Sequence, residues 1–294
     1  MRLAASIDLR PKIARMKWCV SEHASSDLVE CAPMKAIFVT GAASGIGRAT
    51  SLLFARRGFR VGCYDVDVDG VRRVAEEIDA GAGTSLAFHG RIDVTNEESW
   101  AAALADFESH THRMDVLFNC AGILRTGRFE DVSPGECRKQ LEVNVMGVIL
   151  GIQKSLPLLE RTAADQGRSV IVNMSSASAT YGQPELAAYS ATKFAVRALT
   201  EALDVELRPR KIHVCDVMPG YVDTPMVHTQ RHSPKTLDRL GVKLTAEDVA
   251  DVVWKAAHGR GLHYIPQRDV ALMSRVGGLL PELGRVVMYR LAKR

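Results

Sequence analysis

The chain has 294 residues, 47% of them hydrophobic and 24% charged, with a formal net charge of +4. That is the balance of an ordinary soluble globular protein, long enough to bury a core without disulfide staples. The mild charge gives no reason to expect nucleic-acid binding, which usually needs a clustered basic face, and no stretch approaches the ~18 uninterrupted apolar residues of a membrane span.

Residues 1–33 are basic near their start (Arg2, Arg10, Lys12, Arg15, Lys17), turn polar, and contain no apolar signal core. They read as a disordered extension, with a targeting peptide or a structured arm as alternatives. From Met34 onward, short β-rich apolar runs alternate with helical patterns. Strands are expected at 36–39, 60–64, 85–90, 115–118, 170–172, 212–215 and 263–265. Helices are expected at 46–57 and 71–79 and from Tyr189 to about Leu207. Capping boxes at Thr95-Asn96-Glu97-Glu98 and Ser133-Pro134-Gly135-Glu136 mark two further helix starts, and Thr245-Ala246-Glu247-Asp248 resembles a third. Strand and helix alternating in this way predict a Rossmann-type α/β fold, a doubly wound parallel sheet of about seven strands in one domain over residues 34–268. The 269–294 segment reads as an amphipathic tail.

None of the six cysteines forms a CxxC pair. Cys63, Cys120 and Cys215 fall in or at the ends of apolar runs, as expected of reduced thiols in a cytoplasmic enzyme. His110 and His112 close a polar helix end, and no metal site is expected.

Thr40-Gly41-Ala42-Ala43-Ser44-Gly45-Ile46-Gly47 joins the first strand to the first helix. Glycines there permit a tight turn and let backbone amides approach a pyrophosphate, which the helix N-terminus then faces. The GxxxGxG spacing is not the phosphate loop of NTPases, since no Gly-Lys-Ser/Thr follows. Asp65 ends the second strand eighteen residues after Gly47, where an acid accepts hydrogen bonds from adenosine ribose hydroxyls and repels a 2′-phosphate. With Tyr64 and Val66 beside it and no basic neighbour, NAD is favoured over NADP. Asp93 and Val94 follow the third strand, placed to meet the adenine amino group and ring; a turn-stabilising acid is the plainer reading of Asp93. Asn119-Cys120-Ala121-Gly122 ends the fourth strand with small residues that let a cofactor lie against the backbone.

Tyr189 and Lys193 stand four apart on one helix face. A free phenol titrates near about 10. A cation ~4 Å away lowers that toward the range of a general acid/base. Alone, the pair is more often an exposed helical accident. Ser176 lies thirteen residues earlier, beyond the fifth strand, and Asn144 in the preceding helix. All four can converge at the carboxyl ends of the strands, where open parallel sheets bind ligands.

Together with Pro219-Gly220-Tyr221-Val222-Asp223-Thr224, these motifs resemble the short-chain dehydrogenase/reductase family over about residues 34–265, with NCAG in place of the usual NNAG. The resemblance implies NAD(H)-dependent hydride transfer on an alcohol or carbonyl compound. Tyr189 would exchange the proton with the substrate oxygen, and Lys193 would lower its pKa and bind the nicotinamide ribose. Ser176 would polarise the substrate oxygen, and Asn144 would hold a water linking Lys193 to solvent. Gly220, Val222 and Thr224, after Pro219, would line the nicotinamide amide. It also implies homodimers or homotetramers. A non-catalytic NAD(H)-binding scaffold is the alternative in another functional class. A sugar-nucleotide epimerase or dehydratase would need a GxxGxxG turn and a larger C-terminal region.

Substrate choice is expected after Thr224, with Met226, Val227, Leu237, Leu240 and Val242 as walls of a partly apolar pocket for a hydrophobic alcohol or ketone. The tail reads as a lid or subunit contact, with peripheral membrane contact as the alternative.

Overall fold

The strands alternate their side chains between two apolar layers, and this alternation builds the molecule. The computed structural model describes residues 34–279 and 281–292. The expectation for residues 1–33 lies outside the described residues. Ile37 and Val39 of β1 (Ala36–Thr40) face one layer, and Ala36 and Phe38 face the other. The remaining strands are β2 (Arg60–Asp65), β3 (Ala87–Arg91), β4 (Val116–Asn119), β5 (Ser169–Met174), β6 (Ile212–Val217) and β7 (His263–Tyr264). All pair in parallel in the order β3-β2-β1-β4-β5-β6-β7. Parallel strands need crossovers, and right-handed crossovers put helices on both faces.

On one face, α1 (Gly45–Arg56), α2 (Val68–Ala82) and the later helix Ala246–His258 cover the layer holding Phe54, Val71, Val74 and Val253. On the other, α3 (Glu97–His110), α5 (Gly147–Gln166) and α6 (Ala187–Leu207) cover Phe38, Tyr64, Trp100, Phe107 and Val196. Phe38 stacks on Tyr64 with ring centroids 4.3 Å apart, fixing the centre of that layer. α4 (Pro134–Leu141) leads through a π-turn (Glu142–Met146) into α5. α7 (Pro225–His228), α8 (Lys235–Leu240) and α9 (Ala246–His258) follow β6, and α10 (Arg268–Leu279) and α11 (Pro281–Ala292) follow β7. Among the described residues, no helix is long and apolar enough to cross a membrane.

Two of the three expected capping boxes form, at Ser133 with Glu136 and at Thr245 with Asp248. The first one shifts. Asn96, not Thr95, caps α3 and accepts from the Ser99 amide, because Thr95 gives both its amide and its hydroxyl to Asp93.

A buried polar chain ties the sheet to α6. The Asn119 amide donates to Asn173 Oδ1 at 3.0 Å, Asn173 donates to Thr200 Oγ1 at 3.0 Å, and Thr200 donates to the Val196 carbonyl at 2.9 Å. The sheet order reverses at β1, between β2 and β4, so a crevice opens at the carboxyl ends of those strands. The glycine turn, Asp65, Asp93, Ser176 and the 219–224 segment lie at that end or beside it.

Candidate active site

The glycine turn is shaped by close backbone approach. Gly41 (φ +70°) sits where a Cβ would lie 2.8 Å from the Ala121 Cα, and a Cβ on Gly47 would lie 2.0 Å from the Gly41 carbonyl oxygen. Neither position accepts a side chain without moving main chain. Thr40 locks the turn to β4, since its hydroxyl accepts from the Cys120 and Ala121 amides at 3.0 and 3.1 Å. The N-terminus of α1 carries no acid in its first turn, and Ser44 makes no side-chain cap. Its first amides therefore remain available to an anion, and Gly41, Ser44, Gly45, Ile46 and Gly47 all line one cavity of about 580 Å³.

Asp65 lies on the same wall, half-buried. Its carboxylate accepts from the amides of Ala43 at 3.2 Å and Asp67 at 3.1 Å, which fix its aim at the end of β2. Asp93 and Val94 line the cavity beyond it. The Asp93 carboxylate is held below its usual range by the Thr95 hydroxyl and amide, so part of its bonding capacity serves the turn. Ala121, Gly122, Pro219, Gly220, Val222 and Thr224 complete this side. Asn119 stands off the wall, within the sheet, where it bonds Asn173.

Ser176, Tyr189 and Lys193 come together on the cavity wall. Lys193 is almost fully buried and donates to the Met174 carbonyl at 2.8 Å; its Nζ lies 5.6 Å from the centre of the Tyr189 ring. Burial pushes the ammonium down to about 8. Asn144, on the π-turn, is fully buried and lies off the wall. Its side chain accepts from the Ile123 amide at 2.8 Å and donates to the Ile123 carbonyl and the Thr192 hydroxyl. Its side-chain polar atoms are thus engaged with protein, and it braces the chain after Gly122 against α6.

The lowered tyrosine expected from the Tyr189–Lys193 spacing is not what the protein's own groups produce. Burial pushes the half-buried Tyr189 phenol up to about 12, and a hydrogen bond with Ser176 is the contact that opposes it. Ser176 also shares a 2.7 Å hydrogen bond with the Ser178 hydroxyl. Cys120 lines the cavity beside this group, with burial raising its thiol to about 12.

Lys193 makes a testable link to stability. Its unfolded-state value is 10.5 and its folded value about 8, so between those limits the unfolded chain holds a proton that the folded chain has shed. Unfolding then takes up a proton, and stability rises with pH through that window. Relative to a Lys193→Met variant, urea unfolding should show a contribution that is flat below about pH 8 and has grown by about 2 kcal/mol at about pH 9.5. A difference that does not change across that window would contradict the assignment.

The substrate side shows more walls than the sequence suggested. Met226, Val227 and Leu240 line the cavity as expected; Leu237 and Val242 do not. Leu124, Gln183, Tyr221, Gln267, Val270 and Met288, none of them singled out from sequence as walls, do. Tyr221 is held by the Thr236 hydroxyl at 2.7 Å. Gln267 accepts from the Gly220 amide at 2.8 Å.

The sequence of residues 35–235 matches the model of the short chain dehydrogenase family. The chain belongs to the short-chain dehydrogenase/reductase family. Trans-4-hydroxycyclohexanecarboxylate dehydrogenase of Sinomonas cyclohexanicum is 35% identical over 196 residues, 65% of this chain and 74% of that one. Cyclopentanol dehydrogenase of Comamonas sp. (strain NCIMB 9872) is 35% identical over 202 residues, 69% and 78% of the two chains. Among solved structures, 3-ketoacyl-(acyl-carrier-protein) reductase from Brucella melitensis complexed with NADH superposes with a TM-score of 0.71 at 32% identity, covering 79% of this chain and 96% of that one. Alcohol dehydrogenase from Thermococcus sibiricus complexed with 5-hydroxy-NADP gives 0.69 at 27%, covering 80% and 99%. This family member is therefore an oxidoreductase of the kind that acts on CH–OH groups with a nicotinamide dinucleotide.

Proposed function

We propose that this dehydrogenase interconverts hydrophobic secondary alcohols and ketones, using NAD(H) in preference to NADP(H). The observation that carries the reading is one cavity with a bare helix N-terminus and Asp65 at one end and Ser176, Tyr189 and Lys193 at the other. The amides after Gly41 would hold the pyrophosphate, Asp65 the adenosine ribose, and Lys193 the nicotinamide ribose. Bound there, the nicotinamide supplies or accepts the hydride. Ser176 holds the substrate oxygen by hydrogen bond. Tyr189 donates its phenolic proton to that oxygen in reduction and takes it back in oxidation. A phenol pushed up to about 12 is protonated at neutral pH, the form that ketone reduction needs.

Both named relatives are dehydrogenases of ring alcohols, which makes such compounds the first substrates to offer. The test is NADH formation from NAD and cyclohexanol or cyclopentanol, with the ketones and NADH in reverse. Absence of turnover across alcohols and ketones, with NADH bound, would refute the reading.

Self-association belongs to the same proposal. Leu141, Met146, Phe194 and Val205 are exposed on the contiguous surface of α4, the π-turn and α6, an apolar face suited to a second copy of this chain. Sedimentation showing only a 32.1 kDa species at micromolar concentration would contradict it.

A further inference from the structure

The cavity has a wall that the family match does not reach. The family model ends at residue 235, yet Gln267, Val270 and Met288 line the same cavity as Tyr189. All three come from the chain after β7. Their place at the substrate end follows from the sheet order. Asp65 and Asp93 mark the β2–β3 side, whereas β6 and β7 lie at the opposite edge.

The wall is anchored at both of its ends. At the near end, the Met218 amide donates to the Tyr264 carbonyl at 2.9 Å, and the His263 ring bonds the buried Asp216 carboxylate at 2.9 Å. β7 is thereby held on β6, which puts Gln267 against the Gly220 amide. At the far end, α11 packs on α8, and Arg239 of α8 donates to the Arg290 carbonyl of α11. Met288, two residues earlier, is 7% exposed although Val286 and Tyr289 beside it face solvent. Among the residues of α11 whose burial is described, Met288 is the buried one, and it meets the cavity. Leu240, from α8 itself, meets it too.

Resting on the proposed function above, we infer that the α10–α11 pair is the outer wall of the substrate pocket and that Met288 is the specificity-determining residue that sets how bulky a ring the pocket admits. Leu124, Met226, Leu240, Val270 and Met288 give this side an apolar surface beside the polar groups of Gln183, Tyr221 and Gln267, and that apolar part suits ring alcohols chosen by size and shape. A thioether chain is unbranched and adaptable, so it closes on a small ring without a fixed shape of its own. Hydrophobic pockets discriminate by roughly 10–200-fold per methylene gained or lost, and a change of several heavy atoms at position 288 falls well within reach of that effect.

The experiment compares kcat/KM for cyclopentanol, cyclohexanol and a bicyclic secondary alcohol in the full chain and in Met288→Ala and Met288→Trp, with Met288→Leu as the conservative control. NADH binding is followed in parallel by fluorescence. Met288→Ala should raise the bicyclic-to-monocyclic ratio about 10-fold, and Met288→Trp should lower kcat/KM for cyclohexanol by a similar factor, mainly through KM. Met288→Leu should keep the wild-type ratio, and NADH affinity should stay within about twofold throughout. An unchanged ratio in both Ala and Trp variants of an active enzyme would overturn the assignment of Met288. A parallel loss of NADH binding and of all turnover would do the same, by showing that Met288 only supports the fold. A wild-type chain that turns over no alcohol of the panel would refute the proposed function itself, and this inference with it.

Discussion

Tyr189→Phe is expected to lower kcat about 10³-fold in both directions while leaving NADH affinity within about twofold of wild type. The reason is what the phenol does and what it does not do. Its ring helps to shape the cavity wall, and phenylalanine keeps that ring. In the proposed mechanism its hydroxyl moves a proton between the substrate oxygen and the protein, and phenylalanine removes only that. Ser176 remains to hold the oxygen, so ground-state binding should survive and the loss should fall on kcat. Stopped-flow turnover beside fluorescence titration with NADH separates the two effects. A variant that retains a tenth or more of wild-type kcat on a confirmed substrate would remove Tyr189 from the chemistry.

The second large effect concerns the cofactor. Asp65→Ser should raise the ratio of kcat/KM with NADP to that with NAD by roughly 30–100-fold, chiefly by making NADP tolerable. The Asp65 carboxylate is aimed by the Ala43 and Asp67 amides at the end of β2. A 2′-phosphate placed about 4 Å from it would meet a repulsion of up to a few kcal/mol at an effective dielectric of ~20. Serine removes the charge but can still bond a ribose hydroxyl, so activity with NAD should fall less than tenfold. If the wild type already uses NADP as well as NAD, the carboxylate does not make the choice.

The features legible in the sequence were those written locally. The glycine turn, the strand-end Asp65 and the caps at Ser133 and Thr245 each depend on residues within a few positions, and the structure places them as expected. Alternating apolar runs were enough for the seven-strand parallel sheet. The misses have long-range or competing causes. Thr95 lost its capping role because Asp93, two residues away, took both of its donors. The π-turn around Asn144 inserts one residue per turn without a compositional mark. Leu237 was placed on the pocket because the phase of the short helix α8 cannot be read before its partner α11 is known, and Val242 because the irregular segment after α8 has no periodicity to fix which side a residue faces. The same fold-back hid Gln267, Val270 and Met288. The direction of the Tyr189 shift depends on burial, which a four-residue spacing does not encode.

The polar chain from Asn119 through Asn173 to Thr200 bears on all of this. It works like a key in a slot. A slip of α6 by one residue would turn its side chains by about 100°. That would strand buried amide and hydroxyl groups, each costing about 1–3 kcal/mol. Small errors in seating are therefore not small in energy, and the helix has one resting place rather than a range. The separation between Tyr189 and Ser176 is set when the chain folds, before any substrate arrives, and the enzyme need not spend binding energy to bring them into line.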